Sequence, residues 1–332
     1  MALPKHLNIV ALETFFNPLP RLTLPSPYTF TVTEHQFTSP AELPSRIKDA
    51  HVLITTTVPL RAETLSSEAA SNLKLIAVVA SGTDSVDLGV CQERGIRVLN
   101  SPDCNVDAFA EHATALYFAV RRSLAPTMEE LRAGEWPRRG TLVKTAFVAG
   151  NSPRGCRNET AVIVGYGGVG RRVEALFSGL GMKVVVAARK NAPAAPGRVS
   201  FEEGLRMATV LVVCCPRTPE TLGMISGTEL SLMRSDAVLV NVARGGIVAE
   251  DALLRALRER KIAGAAVDVF DQEPAGPETS VLLGPDARGL NLVATPHTAW
   301  MSMDTTINYQ RVLQENINGF ILGEMAEERI KA

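Results

Sequence analysis

The chain has 332 residues, of which 46% are hydrophobic and 21% charged, with a formal net charge of -1. That length suits two domains with separate cores, and the composition excludes a disordered or fibrous chain. A charge balance this close to zero provides no bulk field for nucleic acid or an anionic membrane surface. Small molecules and other protein surfaces are therefore the expected partners.

In chain order, the first hundred residues alternate short aliphatic or β-branched runs (LNIVAL, YTFTV, HVLITTT, LKLIAVVAS, IRVLN) with helix-compatible stretches such as PAELPSRIKDA and VDLGVCQERG. Repeated βα alternation predicts a mostly parallel sheet, the first of two α/β domains. The opening MALPKHLNIVALETFF has no basic segment leading into a long apolar run, and no apolar stretch reaches the roughly 18 residues that span a bilayer. A cytoplasmic protein is expected. The five cysteines, Cys91, Cys104, Cys156, Cys214 and Cys215, form no CxxC pair and interleave with no histidine spacing, so they read as small buried residues. Neither a metal site nor a disulfide framework is expected.

Asn105 to Arg122 reads as a connector helix, with Asn105 as its cap and Phe109, Ala113, Leu116 and Val120 at helical spacing. Trp136 to Glu159, rich in Gly, Pro and Arg, reads as irregular, its cations solvated. Beyond it lie TAVIVG, KVVVAA, TVLVVCC, AVLVNVA, GAAVDVF and NLVAT, continuous apolar runs of the kind buried on both faces of a parallel sheet. Helical stretches such as VGRRVEALFSGLG and AEDALLRALRER separate several of them, and Met303 to Leu322 reads as a long final helix.

Two features of the second domain carry chemistry. In TAVIVGYGGVG, Gly165, Gly167 and Gly170 have dinucleotide-loop spacing between a buried strand and a helix. Gly165 permits the turn, Gly167 lets the backbone approach a pyrophosphate, and Gly170 allows close helix packing. The helix N-terminus at Gly168 and Val169 then faces the anion. Where the second strand of such a unit ends in an acid that binds the adenosine ribose, KVVVAARKN places Ala188 followed by Arg189 and Lys190. The missing acid and the two cations predict NADP, with NADPH preferred over NADH and Arg189 and Lys190 on the 2′-phosphate. The second feature is a set of three polar residues, Arg244, Glu273 and His297, each just past a buried strand. Open α/β sheets bind ligands at that edge, and the three together can hold a carboxylate, transfer a proton and tune the group that transfers it.

Over nearly its whole length, and most clearly in VNVARGGIVAEDALLRALRERKIAGAAVDVFDQEP and VATPHTAW, the chain resembles the D-isomer-specific 2-hydroxyacid dehydrogenases. The resemblance implies two Rossmann/flavodoxin-like parallel-sheet domains with a cleft between them. Residues 1–104 plus 298–332 would bind substrate, and 105–297 the dinucleotide. It further implies that Arg244 binds the substrate carboxylate and polarises the carbonyl, that His297 is the proton donor and acceptor, and that Glu273 pairs with His297. Ser81 and Gly82, in VASGTDSVD, would cradle the substrate carboxylate alongside Arg244 and His297. Cys215, Pro216 and Thr218 in CCPRTPET, together with Ala243, would touch the cofactor. Asp268 would hold the nicotinamide carboxamide, the alternative being a buried polar residue satisfied by backbone.

The implied reaction is reduction of a 2-keto acid of the glyoxylate, hydroxypyruvate or arylpyruvate class to the D-2-hydroxy acid. HTAW, from His297 to Trp300, is similar to glyoxylate and hydroxypyruvate reductases, although Trp300 suits core packing equally. The resemblance also implies a homodimer formed through the central domain and the segment after the connector helix, with Thr141 to Asn158 departing from the family's compact approach to the glycine loop. A dinucleotide-sensing protein like the C-terminal-binding-protein corepressors is the alternative from another class; the missing ribose acid weighs against it. Formate dehydrogenases place Gln where this chain has Glu273.

Overall fold

The computed structural model describes residues 3–147, 150–192 and 196–332. Val148 and Ala149, inside the stretch expected to be irregular, lie outside the described residues. The chain forms two compact units, Met1–Asn105 with Met301–Ala332, and Val106–Trp300.

In unit 1 the expected runs form β1 (His6–Ala11), β2 (Thr29–Glu34), β3 (Val52–Thr55), β4 (Leu75–Val78) and β5 (Arg97–Leu99). They pair in parallel in the order β2-β1-β3-β4-β5. β3 and β4 are buried at every position, as befits strands covered on both faces, while β2 is the exposed edge. The connecting helices are α1 (Leu43–Ile47) and α2 (Leu88–Arg94). The Asp87 side chain caps α2 by accepting from the Val90 amide, and Gly95 ends it at φ 66°.

Unit 2 begins with α3 (Val106–Arg121), α4 (Leu124–Arg132) and α5 (Glu135–Arg139). β6 (Thr160–Val164), α6 (Gly168–Gly179), β7 (Lys183–Val186), α7 (Phe201–Met207), β8 (Val210–Val213), α8 (Gly227–Leu232), β9 (Val238–Asn241), α9 (Glu250–Arg258), β10 (Gly264–Val267) and β11 (Leu292–Ala294) follow. The six strands form a parallel sheet in the order β11-β10-β9-β8-β6-β7. Alternate residues of one strand serve opposite faces. Val162, Leu211 and Leu239 pack with Leu205, Leu230 and Leu253. Ile163 and Val212 pack with Leu116, Tyr117 and Phe177 of α3 and α6. The last turn of α3 is tied to the sheet by a buried ion pair, Arg121 to Glu159 at 2.6 Å, and Arg121 also donates to the carbonyls of Thr209 and Asp236.

The stretch from Trp136 to Glu159 is not wholly irregular, since it contains most of α5 and single 3-10 turns at Val143–Ala146 and Cys156–Asn158. Nor are its cations simply solvated. Arg138 pairs with Glu135, Arg139 with Glu130, and Arg154 with Asp236 at 2.6 Å.

The chain then returns to unit 1 as α10 (Met303–Leu322), started by Ser302, whose hydroxyl accepts from the Thr305 amide. Gln310 donates to the Pro18 carbonyl, Gln314 exchanges bonds with Thr23, and Asn316 donates to the Asn100 carbonyl. Val98 and Lys331 bond through their backbones beside an antiparallel bridge between Leu99 and Ile330. Among the described residues, no helix is long and apolar enough to cross a membrane.

Candidate active site

The sheet of unit 2 changes winding direction at β6, which has β7 on one side and β8 on the other. Ligands of open α/β sheets bind at such a switch point, outside the carboxyl ends of the strands. The glycine loop sits there. Gly165 has φ 97°, and a Cβ on it would lie 2.6 Å from Cys215 Cα, so only glycine lets the turn rest on the backbone after β8. A Cβ on Gly170 would strike the Gly165 carbonyl oxygen, whereas one on Gly167 would meet nothing within 4 Å. Two of the three glycines are thus required by the protein's own packing. The third leaves open space before α6, whose N-terminus has no side-chain cap. That arrangement fits a pyrophosphate, with the amides at Gly168 and Val169 as donors. Burial pushes the Cys215 thiol up to about 11, so the residue is a neutral part of this floor. Beside it, Pro216 is exposed and Thr218 is held by its amide on the Thr221 hydroxyl at 2.7 Å.

At the carboxyl ends of β9, β10 and β11 stand Arg244, Glu273 and His297. The turn carrying Arg244 presses against the one carrying Glu273, because a Cβ on Gly245 would run into the Phe270 carbonyl. Glu273 Oε1 accepts from the Phe270 amide at 2.9 Å, and Oε2 lies 2.6 Å from His297 Nδ1. Burial alone would raise the Glu273 carboxyl. The bonds from His297 and Phe270 and the nearby charges of His297 and Arg244 outweigh it and hold the group below the usual carboxylate range. Arg244 is half-buried and donates to the Ala243 carbonyl, while its own carbonyl accepts from Asn241 Nδ2.

His297 is held in the left-handed region, at φ 52°. Asp268 is what holds it there. With 0% exposure, its carboxylate accepts from Thr295 Oγ1 at 2.6 Å and from the amides of Thr298 and Ala299 at 2.9 Å each, and its carbonyl accepts the His297 amide at 2.7 Å. His112 of α3 reaches the same carboxylate at 3.5 Å and bonds Thr295 Oγ1. Burial opposes ionisation of Asp268, but His112, Thr295 and the two amides hold its carboxyl below the usual range. Asp268 therefore supports the His297 loop, through side-chain as well as backbone donors. Trp300 completes that loop by donating Nε1 to the His297 carbonyl at 2.9 Å. His112 gave no signal in the sequence, because one polar residue on an otherwise apolar helix face looks like surface.

In unit 1 the switch point between β1 and β3 is filled by the protein itself. The buried carboxylate of Glu13 accepts from the amides of Thr56, Thr57 and Val58 and from the hydroxyls of Thr55 and Thr57. Ser81 and Gly82 follow β4 at the same carboxyl edge and are partly exposed. Ser81 is fixed by Asn100, which donates to its carbonyl at 2.6 Å, and by its own hydroxyl on Asn105 Oδ1 at 3.2 Å.

Residues 114–299 match the family described as D-isomer specific 2-hydroxyacid dehydrogenase, NAD binding domain. The chain is 34% identical to glycerate dehydrogenase of Methylorubrum extorquens over 90% of its own length and 91% of that protein's. This chain belongs to the D-isomer-specific 2-hydroxyacid dehydrogenases. It is also 33% identical to glyoxylate reductase of Thermococcus kodakarensis, over 84% of this chain and 83% of the relative. Among solved structures, the NADPH-dependent glyoxylate/hydroxypyruvate reductase of Sinorhizobium meliloti, in complex with NADP and malonate, aligns with a TM-score of 0.75. It is 25% identical and covers 98% of this chain and 96% of that one. The protein is thus an NAD(P)-dependent dehydrogenase whose relatives are named for small hydroxy and keto acids.

The two cations of the turn after β7 in this dehydrogenase differ in their surroundings. Arg189 is exposed at the end of the β7 turn. Lys190 is spent inside the fold, with Nζ 2.8 Å from Glu229 Oε1 and donating to the Met224 carbonyl at 3.0 Å. Glu229 is itself the acid of the capping box that starts α8. Burial would raise its carboxyl, yet the bonds from Lys190 and Ser226 hold it at about 2, so the pair stays charged. Lys190 thereby ties the turn after β7 to the start of α8.

The glycine loop yields the first test. Gly165→Ala should lower the unfolding temperature and abolish dinucleotide binding together, since the new methyl collides with the backbone at Cys215. Gly167→Ala should leave the unfolding temperature unchanged and weaken binding alone. Thermal unfolding paired with fluorescence titration of the reduced cofactor separates the two; equal thermal loss in both variants would contradict the division of roles.

Proposed function

We propose that the enzyme reduces a 2-keto acid of the glyoxylate, hydroxypyruvate or arylpyruvate class to the D-2-hydroxy acid, with NADPH as reductant. The observation that carries this reading is the 2.6 Å contact between Glu273 and His297 Nδ1. With Nδ1 committed to the carboxylate, Nε2 is the nitrogen that meets the keto oxygen. The bound dinucleotide supplies hydride to C2. His297 supplies the proton to the oxygen, and Glu273, anionic because its carboxyl is held low, holds Nδ1 and orients the ring. The Arg244 guanidinium takes the substrate carboxylate through paired hydrogen bonds. Asp268, beside the His297 loop that it supports, holds the nicotinamide carboxamide in the same reading. Ala243, Cys215, Pro216 and Thr218 contact the cofactor from the strand ends.

Reduction requires the protonated ring and oxidation the neutral one, so the turnover number for reduction should fall as pH rises and that for oxidation should fall as pH drops. Glu273 contributes no inflection near neutrality because its carboxyl is shifted downward. His297→Ala should cost on the order of a hundredfold in turnover, the usual scale for a general acid. Arg244→Lys should raise KM for the keto acid while reduced-cofactor affinity holds, because a point charge replaces a planar fork. Stopped-flow cofactor binding and steady-state kinetics measure both, and wild-type turnover of His297→Ala would remove His297 from the proton step.

NADPH preference is supported by the absent acid at Ala188, by exposed Arg189, and by the NADPH-dependent relative. Charge-assisted hydrogen bonds to the phosphate are worth roughly 1.5–3 kcal/mol each, so a preference of about tenfold or more is expected in kcat/KM. Ala188→Asp should reverse it by repelling the phosphate and offering the ribose an acceptor; equal use of NADH and NADPH by the native enzyme would end this part of the proposal.

The enzyme works as a homodimer in this reading. α4 and α5 bury no residue of their own, and Phe118, Leu124, Met128, Leu131, Trp136 and Val143 leave an apolar surface on one stretch of unit 2. Sedimentation should give a dimer that Leu131→Arg dissociates, whereas a monomeric native protein would refute the pairing.

A further inference from the structure

With Lys190 paired to Glu229, Arg189 is the exposed cation among the described residues directly after β7, and a 2′-phosphate carries up to two negative charges. The second cation comes from further along the chain. After the turn, Val199 returns beside β7 through a bridge to Ala187, with the Ala188 amide donating to the Val199 carbonyl at 2.8 Å and the Val199 amide to the Val186 carbonyl at 3.0 Å. A Cβ on Gly204 of α7 would touch Ala187 Cβ and Val199 Cγ2, each at 3.5 Å, so Ala187 and Val199 both face α7. Side chains alternate along extended backbone. Ala188 and Arg198 therefore face the other side of the sheet, where α6 and the glycine loop lie. Arg198 reaches Tyr166, the residue between Gly165 and Gly167, with its guanidinium carbon 5.8 Å from the ring centroid. Arg171 of α6 lies 5.4 Å from the same centroid, and the Tyr166 hydroxyl is fixed on Glu174.

We propose that Arg198, placed by the Ala187–Val199 bridge and by the Tyr166 ring, is the second 2′-phosphate ligand, in partnership with Arg189. This rests on the NADPH reading above. Arg198 stands on the face that Ala188 leaves without a carboxylate, the place where an NAD-selective unit puts its ribose acid. Two carboxylates in this neighbourhood have other partners. Glu174 accepts from Tyr166, and Glu220, the acid that senses the charge of Arg189, is bonded first to Thr218. Tyr166 serves as a positioning residue, stacking the guanidinium so that its fork is presented with little loss of side-chain freedom.

The test is calorimetric titration of the full chain with adenosine 2′,5′-bisphosphate and with 5′-AMP, which differ only by the phosphate at issue. The native protein should bind the bisphosphate more tightly. Arg198→Ala should weaken bisphosphate binding by about tenfold or more while changing 5′-AMP binding by less than about twofold, the loss expected for one charge-assisted bond. Arg198 is exposed, so its removal leaves the core untouched. Equal losses for both ligands would show that Arg198 only packs against the adenosine end, and an unchanged ratio in Arg198→Ala beside a native preference for the bisphosphate would overturn the proposal alone. If the native protein bound both ligands equally, this proposal and the NADPH reading would fall together.

Discussion

A single buried anion organises the chemistry of unit 2. Asp268 directly follows β10 with no exposure, and leaving its carboxylate unpaired there would cost several kcal/mol. The fold meets that cost by turning the chain after β11 back over it, so that Thr295, Thr298 and Ala299 all donate to it and His112 closes the ring from α3. The price of that wrap is a histidine in a left-handed conformation at position 297. Strain of this kind persists only where the surroundings over-determine it, and here the His297 amide, the Trp300 indole and the Glu273 carboxylate fix the residue from three directions. The imidazole is aimed by a neighbour that need not touch substrate.

The glycine loop is organised by contact instead of charge. Gly165 against the backbone at Cys215 brings the ends of β6 and β8 together at the switch point, and Gly245 against Phe270 does the same for the turns after β9 and β10. Both contacts are backbone on backbone. They leave Gly167 and the uncapped start of α6 as the part of the loop that the protein does not fill, and in unit 1 the comparable switch point is closed by Glu13.

Much of this was legible in the sequence because it depends on local patterns. Fully buried strands such as β9 and β10 read as continuous apolar runs, and Arg244 and Glu273 come soon after them; His297 follows β11, an edge strand that is only partly covered although its run is equally apolar. The glycine spacing needed only its strand and helix to be recognised. The pairing of Lys190 is not legible in the sequence, because its partner Glu229 lies 39 residues further on and is placed by the start of α8. Arg198 was passed over for the same reason, since nothing in PGRVS announces that Val199 returns to pair with Ala187. α5 escaped detection because it is five residues long, contains Pro137, and is bounded by Gly134 and Gly140, both in the left-handed region. Its form comes from its ends and not from an apolar stripe.

The return of α10 to unit 1 has a consequence for the order of assembly. Unit 2 is one uninterrupted stretch, Val106–Trp300, whereas unit 1 is split around it. A chain emerging from the ribosome presents all five strands of the first sheet before any of the second, yet the helix that packs on β4 arrives only after unit 2 is complete. The first sheet must wait with part of its apolar face uncovered, and the contacts that close it span nearly the whole chain, as with Gln314 and Thr23. The domain translated first is thereby the one finished last, and unit 2 is the segment able to fold on its own schedule during synthesis.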